Sequence, residues 1–359
     1  MAAIRAEGLY KVFGRRPDDV VRQLSEGAST DEVVAQGATP AVIDAGFEVQ
    51  PGEIFVVMGL SGSGKSTLIR MLNGLLSPTS GHVHVGGRDV AELGPKSLRQ
   101  LRSEEMSMVF QHFALLPHRT VLENAAYALK IRGFEKQERD SKARDALTLV
   151  GLSGWEHRYP SQLSGGMKQR VGLARALAAE TDILLMDEAF SALDPLIRRE
   201  MQDQLIDLQH RLTKTIVFIT HDLNEAMRLG DRIAMMRAGR IVQIGTREDI
   251  LYDPADDYVA EFVKDVDRTR VLTAGSVMEP VSDQASQAEY TTVSADTLLS
   301  DVFAMTDRRP LPLAVIDGDN RTVGVIREHT LLHAMVARDA ARKQDAEPTR
   351  VEGQEASHG

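Results

Sequence analysis

A chain of 359 residues has room for one sizeable domain and a smaller one. It contains no cysteine, which rules out disulfides, thiolate chemistry and zinc–thiolate sites. A formal net charge of −10 speaks against a general nucleic-acid binder, whose usual footprint is a basic face, and no apolar run approaches the roughly twenty residues that span a bilayer.

The N-terminus, Met1 to Gly8, lacks the apolar centre of a signal peptide. An early aromatic phrase follows at Tyr10-Lys-Val-Phe13-Gly14, and a strand is expected at Gly46-Phe-Glu-Val49. Between them lies a segment at about 15–45. It holds two short amphipathic stretches, Asp18–Leu24 and Asp31–Ala35, with helix-start chemistry at Ser29 and Thr30.

The apolar run Ile54–Met58 then leads into Gly59-Leu-Ser61-Gly62-Ser63-Gly64-Lys65-Ser66-Thr67 and on to the helical Leu68–Leu72. This is the GxxxxGK[ST] pattern in the strand-then-helix context that gives it meaning. Glycines let the backbone wrap around phosphates so that N–H groups and a helix N-terminus face the anion. Lys65 is expected to reach the β- and γ-phosphates, and the Ser66 hydroxyl to ligate Mg²⁺.

Leu163-Ser164-Gly165-Gly166 opens a second helical run, Met167 to Leu177, and so offers a second N-terminus suited to an anion. The buried strand Ile183–Met186 ends at two adjacent carboxylates. Asp187 is expected to hold the metal through water, and Glu188 to act as general base on the water that attacks the γ-phosphate. A third β-rich run, Thr215–Thr220, delivers His221 to a strand's C-terminal end, where open α/β sheets bind ligands.

After a charged linker at 266–272 the order is turn, helix, strand, the Asp317-Gly-Asp-Asn320 hairpin turn, strand and helix, over 273–337. Residues 338–359 lack large apolar side chains apart from Val351 and are expected to be a disordered tail.

With these motifs in order, residues 1–265 resemble the ATP-binding subunits of ABC transporters, and the Leu163–Gly166 phrase is that family's signature. The fold implied is α/β: a P-loop ABC ATPase domain with a mixed sheet core and a helical subdomain, followed by a small α+β domain. The resemblance implies a head-to-tail homodimer with ATP and Mg²⁺. Ser164, Gly165 and Gly166 of one chain would contact the γ-phosphate held by Lys65 of the other. Gln111 matches the glutamine that senses Mg²⁺ and couples to the membrane subunit, and Asp194, in Ser191-Ala192-Leu193-Asp194, lies in the loop that meets the opposite subunit. Phe13 is the candidate to stack on adenine, with Tyr10 as the alternative.

ABC subunits mostly join these first strands by a much shorter turn, so the resemblance makes the segment at about 15–45 an insertion; it, the Ala189-Phe190 pair after Glu188, and the phrases Phe110–His118 and His221–Arg228 resemble the glycine betaine/proline type of importer. That implies a peripheral subunit on the cytoplasmic face of the cell membrane, a separate permease and an extracytoplasmic solute-binding protein. Glycine betaine, proline, choline and carnitine are all compatible cargoes. Residues 273–337 resemble a single CBS motif, which would pair across a dimer and respond to ionic strength or a nucleotide, or serve dimerisation alone. A soluble, non-transport ABC ATPase fits poorly. There is one phosphate loop, and the interval from Lys65 to Ser164, about a hundred residues, shows no sustained heptads.

Overall fold

The structure is a computed structural model that describes residues 2–110, 114–191, 193–280, 290–306 and 311–335. It divides into two compact units, Met1–Ile250 with Pro254–Lys264, and Leu251–Asp253 with the chain from Asp265 onward. The first part of the chain runs β1 (Ile4–Phe13), α1 (Pro17–Ser25), α2 (Thr30–Ala35), β2 (Thr39–Val49), β3 (Ile54–Met58), α3 (Lys65–Leu72), β4 (Ser80–Val85) and β5 (Arg88–Asp89). Next come α4 (Pro95–Glu104), β6 (Met106–Val109), α5 (Val121–Ala125), α6 (Tyr127–Ile131), α7 (Lys136–Leu149), α8 (Gly165–Ala178) and β7 (Ile183–Asp187). Then follow α9 (Pro195–Leu212), β8 (Thr215–Thr220), α10 (Leu223–Leu229), β9 (Arg232–Arg237), β10 (Arg240–Gly245), α11 (Arg247–Tyr252) and α12 (Asp257–Val263).

A six-stranded sheet has the order β10-β9-β3-β8-β7-β6, parallel except where β10 meets β9. Its strands β3, β7 and β8 are buried along their whole length, as near-continuous apolar runs in a doubly covered sheet require. An antiparallel sheet, β2-β1-β4-β5, shares one core with it: Ile4, Leu9 and Val83 join Phe55, Val57, Leu185 and Ile219, with Leu68 and Leu72 of α3 in the same cluster. Phe47 of β2 stacks on Phe55 of β3 with centroids 5.0 Å apart. Helices α5, α7 and α8 pack on one another, as the expected helical subdomain.

The insertion folds as two helices with a small core of its own. Ser29 caps α2 in a reciprocal box with Glu32, the Ser29 hydroxyl accepting from Glu32 N at 3.2 Å and the Glu32 carboxylate from Ser29 N at 2.8 Å. Val20, Leu24 and Val33 pack with Val12, Ala38 and Ile43. The inserted segment is shorter than 15–45, because β2 already begins at Thr39. The first half of β2 hides its strand character behind Pro40, the left-handed Asp44 (φ 51°) and shifts in the β1–β2 register.

The second unit carries α13 (Ala274–Val277), β11 (Glu279–Pro280), β12 (Thr291–Ser294), α14 (Leu299–Thr306), β13 (Leu313–Ile316), β14 (Thr322–Ile326) and α15 (Glu328–Met335). Its sheet has the order β11-β14-β13-β12, with β12 and β13 parallel. The hairpin turn is built as its sequence suggests: Asp317 Oδ1 accepts from the backbone of Asp319 and Arg321, each at 2.9 Å, and Asn320 sits at φ 59°. The stretch expected as a linker is partly structural, since Val271 and Leu272 are buried and Leu299 N donates to Leu272 O at 2.9 Å. The tail at 338–359 lies outside the described residues.

Candidate active site

Three strand ends converge. The chain leaves β3 into the phosphate loop, β7 ends at Asp187 with Glu188 next, and β8 is followed by His221. Gly64 precedes α3 in the left-handed region (φ 104°), and a Cβ there would lie 2.1 Å from the Ala41 carbonyl oxygen. Gly59 is equally constrained: φ is 152°, and a Cβ would lie 2.2 Å from the Met236 carbonyl oxygen. The loop is thus wedged between β2 and the end of β9, and only glycine fits at these two positions. Gly239 N donates to Ser63 O at 3.0 Å, a further brace. Thr67 lies in the first turn of α3, while Ser61 and Gly62 form the crest of the loop.

Lys65 is 4% exposed, and its Nζ donates to the carbonyls of Gly59 (2.9 Å) and Leu60 (3.0 Å). Burial pulls its pKa below the ordinary lysine value, opposed by the nearby Glu188 and Asp187 carboxylates. Ser63 Oγ is buried in the same loop without a hydrogen-bond partner. Ser66 Oγ donates to Asp187 Oδ1 at 2.8 Å. Burial also pushes the Asp187 carboxyl above the usual range, against the pull of Ser66, Arg70 and Lys65. A hydroxyl and a carboxylate side by side are the hard oxygen donors that Mg²⁺ selects, so this pair fits that ion.

Glu188 adopts φ 45°, a left-handed conformation rare for a residue with a side chain, and its N–H donates to Ile219 O at 3.1 Å. Its Oε2 lies 3.4 Å from Nδ1 of His221. The Ala189-Phe190 pair has a packing role: Phe190 is fully buried and tilts against Phe218, ring centroids 5.5 Å apart. Ser191 Oγ donates to the Glu188 carbonyl at 3.0 Å.

Phe13 is 43% exposed at the end of β1, paired with Thr39 of the strand whose Ala41 carbonyl presses on Gly64, and Lys11 Nζ lies 5.3 Å from its ring centre. Tyr10 packs against the insertion's core instead, and its hydroxyl accepts from Ser25 Oγ at 3.5 Å. Of the two aromatics, Phe13 is the more exposed. Ser164 caps α8, its hydroxyl accepting from Met167 N at 3.3 Å, so the signature does open a helix at Gly165 and Gly166. Asp194 likewise caps α9, accepting from Ile197 N at 3.1 Å. Gln111 lies outside the described residues.

Sequence reasoning missed a buried polar network behind His221. Glu225, 5% exposed, accepts from Gln202 Nε2 at 3.0 Å and from the Thr220 hydroxyl. Its carboxyl is raised by burial, with both hydrogen bonds opposing. A glutamate three residues after the Asp222 cap reads as an ordinary first-turn acid, and nothing local signals its buried partners.

A glycine-wrapped loop at a strand end, with lysine, hydroxyl and paired carboxylates at hand, defines a P-loop nucleoside triphosphatase. The profile of the ABC transporter family matches residues 42–191. The chain is 46% identical to the glycine betaine transport ATP-binding protein OpuAA of Bacillus subtilis, over 92% of each chain. It is 48% identical to the glycine betaine/proline betaine transport system ATP-binding protein ProV of Salmonella typhimurium, over 92% of this chain and 82% of that one. Among solved structures it is similar to the ATP-binding cassette MJ0796 as a post-hydrolysis dimer bound to ADP and Pi, with 29% identity and a TM-score of 0.58 over 68% of this chain and 98% of that one. The chain therefore belongs to the ABC transporter family, as an ATP-binding subunit that hydrolyses ATP to drive transport. Among the described residues no helix is long and apolar enough to cross a membrane.

Proposed function

We propose that this chain powers the import of glycine betaine or a closely related quaternary amine through a separate permease, working as a head-to-tail dimer on the cytoplasmic face of the cell membrane. The observation that carries this reading is the likeness to OpuAA across 92% of both chains, which takes in the second unit as well as the ATPase unit. The insertion and the phosphate-site phrases point the same way. A solute-binding protein outside the membrane and CBS-type sensing by residues 273–337 belong to the same proposal, supported by resemblance.

The residues divide the work. Lys65 exchanges the Gly59 and Leu60 carbonyls for phosphate oxygens, keeping its ammonium hydrogen-bonded throughout. The free N–H groups at the start of α3 take the remaining phosphate charge. Phe13 offers its exposed face to adenine. Ser66 and Asp187 are the residues that would hold Mg²⁺, with Gln111 as the resemblance adds. When bound, the ion neutralises charge on the β- and γ-phosphates. Glu188 takes the proton of the attacking water, and His221, 3.4 Å away, orients Glu188 and the γ-phosphate. Ser164, Gly165 and Gly166 at the start of α8 close on the phosphate of the partner chain, with Asp194 in the loop between chains. ATP favours the closed dimer only as far as it binds that state more tightly, and hydrolysis removes the preference.

Uptake tests the cargo. Proteoliposomes holding this chain with its permease and binding protein should take up labelled glycine betaine only with ATP, with choline, carnitine and proline as competitors. Uptake that choline blocks more strongly than unlabelled betaine would move the assignment to a choline importer.

A further inference from the structure

His221 stands between two residues that are each held from α9. On one side, the Thr220 hydroxyl donates to Glu225, whose other oxygen accepts from Gln202 of α9 at 3.0 Å. On the other, Asp222 Oδ2 accepts from Nη1 of Arg198, also on α9, at 3.1 Å. Asp222 has no spare freedom, because its Oδ1 caps α10 by accepting from Asn224 N (2.9 Å) and Glu225 N (3.3 Å), and its own N–H donates to Thr220 Oγ1 at 2.9 Å. A further tie between α9 and α10 is the ion pair of Asp203 with Arg228, which touches neither neighbour of His221.

Arg198 has a second bond. Its Nη2 donates to the Leu193 carbonyl at 3.2 Å, one residue before the Asp194 cap of α9. One planar guanidinium thus spans the backbone next to Asp194 and the carboxylate next to His221, a fork that a lysine would not reproduce. We propose that Arg198 is a positioning residue for His221, fixing the histidine's backbone relative to Leu193 and Asp194, with Gln202 and Glu225 as the second arm of the same clamp. The inference rests on His221 acting on the γ-phosphate. It follows that a second copy of the chain pressing on Asp194 shifts His221 through Arg198 rather than through Glu188 alone.

The test is steady-state Mg-ATP hydrolysis by the full chain. Arg198→Ala and Asp222→Asn are each expected to lower kcat on the order of tenfold or more, with KM for ATP within about twofold, since sub-ångström errors at a reacting centre act on rate before binding. Asp222→Asn keeps the α10 cap acceptor and so reports on the clamp even where Arg198→Ala folds poorly. The double variant should be no slower than the slower single one, because both remove the same link. Arg198→Lys should recover only part of the rate. Wild-type kcat in both single variants, losses that multiply in the double, or a raised KM at unchanged kcat would each overturn the proposal. His221→Ala separates the two levels: full activity there removes the reading of His221 itself, whereas an inactive His221→Ala beside a fully active Arg198→Ala removes only the clamp.

Discussion

Glu188→Gln is expected to slow hydrolysis by roughly two to four powers of ten while leaving ATP bound. Gln keeps the shape and the hydrogen-bonding reach towards His221 but lacks the basicity to take a proton. The strained φ of 45° and the Ile219 and Ser191 hydrogen bonds are made by the backbone of residue 188, so they survive the change and the fold should be intact. Since hydrolysis is what ends the preference for the closed state, the variant should accumulate as an ATP-bound dimer. Size-exclusion chromatography in Mg-ATP reads this directly, and a monomer with ATP bound would contradict a site shared between two chains.

Lys65→Ala should act on binding instead. The ammonium is almost wholly buried and makes two hydrogen bonds to loop carbonyls, positions where its charge is worth most. A hydrogen bond to a charged group contributes about 1.5–3 kcal/mol, so losing the contacts to phosphate should weaken ATP on the order of a hundredfold or more. Equilibrium binding of labelled ATP checks this, and an unchanged affinity would mean that the loop holds phosphate through its N–H groups alone. The same substitution leaves the Gly59 and Leu60 carbonyls short of a partner, so a modest fall in thermal stability should accompany it.

Much of the site was legible because its chemistry is local in sequence. The phosphate loop, the Asp187-Glu188 pair and His221 each follow an apolar run short enough to be only a buried strand, and a parallel sheet brings such ends together. Ser29 and Thr30 announced the start of α2 in the same way, while the reciprocal bond from Glu32 emerged only in the structure. What was hidden depends on distant pairing. The strand character of Thr39–Ala45 appears only when β1 lies beside it, and Val271 and Leu272 look like part of a charged linker until α14 covers them. The clamp around His221 joins residues 23 and 24 positions apart across two helices, and neither helix's own pattern requires it. Phe13 was preferred to Tyr10 on the sequence without a physical reason to separate two aromatics near a first strand; that Tyr10 packs against the insertion's core is a tertiary fact no local pattern carries.

The measurement that bears most directly on the whole account is ATP hydrolysis by this chain in liposomes with its permease and binding protein, with and without glycine betaine, as internal salt is raised. An osmoregulated betaine importer predicts a rate that rises only when betaine and salt are both present. Hydrolysis indifferent to betaine at every salt concentration would contradict the proposed cargo and its regulation, while leaving the ABC ATPase itself in place.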